Sequence, residues 1–274
     1  GGTAQRPSNG GPFVGGAQSS FLVRRGRLRL DGPVNDKDKY VFQLDFGNTS
    51  SVNLRDAWVD LKSGMPKNTN FRIGQFPPHF SYTLAYSSRS RESPERPLGF
   101  SDSSNAAVIY KSGQSANPGE INPGAIIPLL NNQDRDAGAA FSWSLPKLHK
   151  GTTGTLTYGL FNGEGRDNNG LRNLGAGLTS IYRAEAVQTQ SGGTLTVGAS
   201  AYRGAMPVRG GAPVNGTPAS FVKAGRNFTG IDARWVAKNR AELRAEYHSG
   251  TFEMTPDRAQ FLAGNKVQAW YTTA

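Results

Sequence analysis

The sequence predicts an all-β protein, a transmembrane antiparallel β-barrel, and three observations support this. Runs approaching ten residues alternate apolar and polar side chains, which is the period of a strand with two different faces. Glycine is abundant, at 35 of 274 residues, and with Asn, Asp and Pro it separates the runs. The mean hydropathy is −0.51, and no stretch approaches the ~20 consecutive apolar residues that a membrane-spanning helix needs. A helical membrane protein is therefore excluded.

The chain divides into a lead-in and a barrel. Residues 1–20 are rich in Gly, Ser, Pro and Gln without apolar periodicity, which is typical of a flexible segment. The barrel is predicted over residues 21–274. Its first run covers residues 21–30, and the polar face of that run carries three arginines: Arg25, Arg27 and Arg29.

About ten further runs follow along the chain. They are predicted at residues 40–46, 52–61, 70–76, 138–145, 154–161, 173–186, 194–202, 227–237, 241–248 and 266–273. A twelfth, weaker run lies at residues 107–110. Short turns are expected between some of these strands, for example at residues 147–151 and 191–193.

A long region without alternation, residues 77–134, interrupts the series after a diproline. Unpatterned insertions of this length are usually functional loops or disordered segments. The region carries Arg89, Arg91 and Arg96, which are candidates for a constriction if the loop folds into the barrel. The alternative is that it lies in solvent.

A soluble β-sandwich also alternates, but its strands are commonly ~5–6 residues long. Runs near ten residues fit a tilted crossing of the bilayer better. The chain ends at Ala274 inside an alternating run, and an open sheet edge cannot face lipid. We therefore expect further strands beyond Ala274 or from another chain.

Several blocks of the sequence resemble, in order and spacing, the phosphate-selective porin O/P family. They are FLVRRGRL from residue 21, LRDAWV from 54, GQFPPHFS from 74, ERP from 95, RDAG from 135, GLFNG from 159 and LRAEY from 243. The resemblance implies a sixteen-stranded, trimeric channel of the bacterial outer membrane, with a basic constriction formed partly by an infolded loop. The resemblance does not identify the transported solute.

Arginine dominates the face that would line the lumen. The chain has a formal net charge of +11, and guanidinium stays charged and binds oxyanions through paired hydrogen bonds. Six arginines are predicted to form an anion pathway: Arg25, Arg27, Arg29, Arg72, Arg234 and Arg244. The alternative is that Asp45, Asp56 and Asp60 on the next two strands neutralise Arg25, Arg27 and Arg29. These residues would then form a ladder of ion pairs in the barrel wall.

The sequence thus predicts passive diffusion of small solutes, with preference for anions or phosphate-like solutes, by a homotrimer in a lipid bilayer. We expect no enzyme activity, metal or cofactor, since the three histidines have no metal-site spacing. Nucleic-acid binding is not expected, because the basic residues lack an interleaved aromatic platform. Two other functions stay open, namely a structural envelope barrel that anchors a surface assembly through residues 1–20 and a secreted carbohydrate-binding β-sandwich.

Overall fold

The computed structural model describes residues 26–46, 52–85, 135–163, 177–209, 221–238, 241–254 and 265–273. These residues form one sheet of eleven strands, and each strand pairs antiparallel with its neighbours in sequence. The strands are β1 (Arg27–Pro33), β2 (Lys39–Asp45), β3 (Asn53–Leu61), β4 (Thr69–Phe76), β5 (Asp136–His149), β6 (Thr152–Phe161), β7 (Thr179–Gln190), β8 (Gly193–Arg209), β9 (Phe221–Ala237), β10 (Glu242–Met254) and β11 (Asn265–Thr273). One short helix, α1 (Tyr82–Ala85), follows β4.

The two faces of the sheet differ in chemistry. On the outer face, large apolar side chains are exposed and pair across strands, as in Trp143 with Leu156 and Trp235 with Leu243. On the inner face, charged side chains such as Asp60, Asp232 and Glu246 are buried. A water-soluble protein buries its apolar face, so this sheet is inverted. No helix among the described residues is long and apolar enough to cross a membrane.

The connections between strands also differ at the two ends of the sheet. Connections that follow odd-numbered strands have two to seven residues, whereas those that follow even-numbered strands have seven to 59. Because successive strands run in opposite directions, all connections of one kind lie at the same end. We call these ends the short-turn rim and the long-loop rim.

Asp38 ties two adjacent turns together at the short-turn rim. Its carboxylate accepts hydrogen bonds from the backbone amides of Lys62 at 2.7 Å and Ser63 at 2.8 Å, and from the side-chain amide of Asn35 at 2.8 Å. Because all three bonds favour the ionised form, they hold the pKa of Asp38 well below its usual range.

The prediction of about eleven strands in an antiparallel sheet is confirmed, but several bounds differ. Strands β8 and β9 are longer than predicted, since their ladder continues as far as the pair Arg209 and Phe221. Alternation marks only the part of a strand whose two faces meet different surroundings, so it does not reveal such extensions. The prediction for 107–110 lies outside the described residues, and the expected sixteen strands stay a prediction.

One local prediction was wrong. His149, placed in a turn over 147–151, is instead the last residue of β5 and pairs with Thr152, after a register shift that follows Leu145. The turn itself needs only Lys150 and Gly151, because Gly151 has φ of 72° and glycine adopts this conformation without a steric penalty. The interruption predicted over 77–134 contains α1 after its first five residues, and a helix of four residues has no periodic signal in the sequence.

Candidate functional site

The segment that follows β4 folds against the inner face of the sheet, and we call residues 77–85 the infolded segment. Pro77 and Pro78 end the strand, since proline cannot donate to the ladder. Beyond them, Phe80 packs with its ring centroid 6.1 Å from that of Tyr202 on β8 and 5.1 Å from that of His248 on β10. The segment therefore leaves β4 and reaches strands β8 and β10.

Hydrogen bonds then fasten the infolded segment to the wall. The backbone amide of Thr83 donates to Glu246 Oε1 at 2.7 Å, and the Thr83 hydroxyl is hydrogen-bonded to the Tyr271 hydroxyl on β11. The Ser81 amide donates to Ser200 Oγ at 3.3 Å. Because Glu246 is buried, its charge-assisted bond stabilises the segment more than a neutral bond would.

Glycine makes room for the ring on which Phe80 packs. His248 is fully buried, and its Nε2 lies 3.2 Å from Glu246 Oε2. On the paired strand, a Cβ at Gly230 would approach His248 Nδ1 to 1.9 Å. Any side chain at Gly230 would therefore displace the histidine, and with it the surface that receives the infolded segment.

Tyr82 of the infolded segment faces two arginines. Its ring centroid is 5.5 Å from the Arg234 guanidinium carbon and 5.6 Å from that of Arg244, which are cation–π distances. Both arginines contact Glu242, Arg234 through two hydrogen bonds of 2.6 and 3.0 Å and Arg244 through a third. Two cations thus share one carboxylate.

Two cations also share one carboxylate at two further places on the inner face. Asp60 accepts two hydrogen bonds from Arg72, at 2.6 and 2.9 Å, and lies 3.5 Å from Lys39 Nζ. Asp45 lies 3.0 Å from the Nε of Arg27 and 3.7 Å from an Nη of Arg55. We call the groups around Asp45, Asp60 and Glu242 the three shared-carboxylate clusters. Around Asp60, the two cations exceed the single carboxylate by one positive charge.

On β7, by contrast, one arginine contacts two carboxylates. Arg183 binds Asp232 on β9 through bonds of 2.6 and 2.9 Å, and Glu185 at 2.9 Å. The contact with Asp232 passes over β8 at Gly198, where a Cβ would come within 2.4 Å of the guanidinium. Here the carboxylates are in excess, so the inner face is not uniformly cationic.

Exposure favours the cations around Asp60 but is mixed around Glu242. At Asp60, the carboxylate side chain is 3% exposed while Lys39 is 54% and Arg72 22% exposed. At Glu242, the carboxylate is 23% exposed, Arg234 is 33% exposed and Arg244 is 6% exposed. Water, and any solute in it, therefore meets the positive ends of the ion pairs first around Asp60, and meets Arg234 and Glu242 together in the other cluster.

The predicted site residues fall into two groups. Arg27, Arg29, Arg72, Arg234 and Arg244 all lie on the inner face, and Arg29 pairs with Asp31 at 2.9 Å. Arg25 and the constriction candidates Arg89, Arg91 and Arg96 lie outside the described residues. Carboxylates do accompany these arginines in the wall, although Asp56 binds Arg135, at 2.7 Å, rather than one of them.

Sequence reasoning missed the residues that hold the infolded segment. Tyr82, Thr83 and Tyr271 carried no motif, and Glu246 stood out only as part of the LRAEY block from residue 243. The one available signal was the aromatic residues after the diproline, since a solvent loop seldom needs Phe80 and Tyr82 so close together. Among the described residues, no His, Asp and Glu side chains are grouped as ligands for a metal ion.

Comparison with known proteins gives the following. A family model described as phosphate-selective porin O and P matches residues 14–207, well over half of the chain. No curated protein matches. Among solved structures, the chain is similar to "OmpT (in-vitro folded), an outer membrane protein of Vibrio cholerae", with 10% identity and a TM-score of 0.41. That similarity covers 85% of this chain and 58% of the other, so this chain spans little more than half of its length.

Proposed function

This chain belongs to the phosphate-selective porin O and P family, and we propose that it lets small solutes diffuse through the bacterial outer membrane with a preference for anions. Its location in the outer membrane and its antiparallel β-fold follow from the family and the sheet. The solute preference is our inference from the inner face.

The observation that carries the proposal is the cluster around Asp60, in which Lys39 and Arg72 share one carboxylate. Two cations also contact one carboxylate at Asp45 and at Glu242. A fully compensated wall would pair each cation with its own carboxylate and would attract ions of neither sign. Around Asp60 the excess charge is positive, and both cationic side chains are more exposed than the carboxylate. The potential in the adjacent water is therefore positive, which concentrates anions.

The mechanism needs no covalent chemistry. An anion exchanges some hydration for contacts with guanidinium groups that already hold a carboxylate, so each contact is weak. Weak sites in succession allow passage, whereas one strong site would trap the solute. Arginine suits this role because its charge does not titrate and its five donors serve a carboxylate and a passing oxyanion together.

The infolded segment supports a size limit at this level of the channel. It covers the wall from β8 to β11 and brings Tyr82 beside the Glu242 cluster. A solute that passes there meets a narrowed cross-section lined by Arg234. We propose that the arginines of residues 86–134, including Arg89, Arg91 and Arg96, complete this constriction, and that the channel assembles as a homotrimer.

Reconstitution into a planar bilayer under a potassium chloride gradient tests the proposal. We expect stepwise conductance and a reversal potential of anion-selective sign. The double variant Arg72→Gln/Arg234→Gln should lose most of that selectivity. A matched control is Arg203→Gln, which removes an arginine from the outer face and should leave the selectivity unchanged.

The outcomes separate the parts of the proposal. A cation-selective reversal potential would refute the anion preference and leave the channel in place. Absence of conductance from a folded protein, shown by heat-modifiable migration in electrophoresis, would refute the channel. If both variants changed selectivity equally, the inner-face clusters would not be its source.

A further inference from the structure

The outer face changes from apolar to polar along one line that crosses β8, β9 and β10 toward the long-loop rim. On β9, the outward positions run from Trp235 and Ile231 to Thr229 and Asn227. The neighbouring strands change at the same level, because the register pairs Asn227 with Arg203 and Thr251 and pairs Thr229 with Ser249. In a membrane barrel such a line marks the upper limit of the hydrocarbon.

A cavity of about 450 Å³ lies on this line. It is lined by Arg203, Asn227, Thr229, Ser249, Gly250 and Thr251. Of the arginines whose side chains are described, Arg203 is the only one on the outer face. Its described hydrogen bonds both use Nη1, to the backbone oxygens of Tyr202 at 3.2 Å and Phe228 at 3.4 Å, and none of the carboxylates described here forms an ion pair with it.

An apolar groove of about 530 Å³ lies across β5 to β8 and extends to Ala201, on the hydrocarbon side of Arg203. Its lining includes the rings of Phe141, Trp143, Tyr158 and Tyr182 and the alanines Ala184, Ala199 and Ala201. Ala201 is the outward position next to Arg203 on β8, a separation of about 6.6–6.8 Å along a strand. The groove and the polar cavity therefore form one continuous surface, apolar at one end and cationic at the other.

We propose that this surface binds one lipid of the outer leaflet, with its phosphate-bearing headgroup at Arg203 and an acyl chain along the groove over Ala199 and Ala201. Long connections of outer-membrane barrels face the cell exterior, which places the long-loop rim and Arg203 at the outer leaflet. A guanidinium and several hydroxyls match a phosphate, which needs charge-assisted donors. The alanine floor leaves space that larger side chains would fill.

The proposal rests on the chain's place in the outer membrane and not on its conduction. Native mass spectrometry of the detergent-solubilised full chain tests it, with diphosphoryl lipid A as the probe and its fully dephosphorylated form for comparison. We expect the wild type to retain the diphosphoryl form about tenfold better, the scale of one charge-assisted contact. Arg203→Gln should abolish that difference, and Ala201→Trp should weaken retention of both forms.

The matched control is Arg29→Gln, which removes an exposed arginine from the inner face and should retain the lipid as the wild type does. Equal retention of both lipid forms by the wild type would overturn the proposal. Displacement of the lipid by millimolar inorganic phosphate would show a site for free phosphate instead. Retention by monomers but not by oligomers would show that a second copy covers this face, which also overturns it. Unchanged conductance of Arg203→Gln would separate this result from the channel function.

Discussion

The carboxylate of Glu242 is the best place to test whether local charge excess sets ion selectivity. Glu242→Gln leaves the shape of the side chain nearly unchanged but removes a carboxylate that both Arg234 and Arg244 contact. The cluster then gains one unit of positive charge. Because Arg234 is partly exposed, the added charge acts on the channel water rather than deep within the wall.

The size of the effect follows from Coulomb's law. A unit charge acting over roughly 7 Å with an effective dielectric constant near 40, and about halved by 0.1 M salt, changes the free energy of a monovalent ion by roughly 0.6 kcal/mol. Chloride is stabilised and potassium is destabilised by this amount, so the two ions differ by roughly 1.2 kcal/mol, which corresponds to about a sevenfold rise in the chloride-to-potassium permeability ratio. The effect should shrink at 1 M salt, where the screening length falls to about 3 Å.

The assay is the reversal potential of the reconstituted channel at both salt concentrations. Asp38→Asn is the matched control, since it removes a carboxylate from a turn of the short-turn rim rather than from the inner face. The reasoning fails if Glu242→Gln leaves the permeability ratio unchanged, or if Asp38→Asn raises it as much.

Three further predictions concern the infolded segment and the turns. Glu246→Gln leaves Thr83 only a neutral acceptor, which weakens the bond by roughly 1 kcal/mol, so single-channel conductance should rise by more than in Glu185→Gln, which removes an inner-face carboxylate without touching the segment. Burial, with nearby positive charge, lowers the pKa of His79 to about 4. When the segment is released, this pKa returns to the ordinary value near 6.5 and the histidine binds a proton, so acidification to pH 5 should favour release by about 2 kcal/mol. Conductance should therefore depend less on pH in His79→Gln. Because the pKa of Asp38 is lowered in the folded protein, its carboxylate stabilises the fold above about pH 4, and this stabilisation is lost as the pH falls through the pKa of the folded state. In thermal unfolding, Asp38→Asn should be less stable than the wild type at pH 7, and the difference should vanish in strong acid.

The strands could be predicted because alternation is a local property. In β9, the outward Trp235 and Ile231 and the inward Arg234 and Asp232 follow from parity alone, and the structure agrees. The count of eleven strands follows from the same signal. Strand ends could not be predicted, since residues 221–226 continue the ladder without a regular alternation of apolar and polar residues in the sequence.

The partners of the inner-face charges could not be predicted in the same way. Parity within the run at 173–186 puts Arg183 and Glu185 on one face, but it does not reveal that the main partner of Arg183 is Asp232, two strands away and 49 residues later. That contact depends on the absence of a side chain at Gly198 on the strand between them. A glycine in a strand is ambiguous in sequence, because it also marks bulges and weak positions.

The sequence by itself determined which side chains face outward, which face inward and how many strands carry them, because a strand has a period of two whatever surrounds it. Only the tertiary structure decided that one carboxylate serves two cations, as Glu242 does, and that residues 77–85 lie on the wall formed by β8 to β11. The physical reason is the separation in sequence of the residues involved. The face to which a side chain points is decided within a few residues. Contacts such as that of Thr83 with Glu246 join groups 163 residues apart and depend on the register of every strand between them.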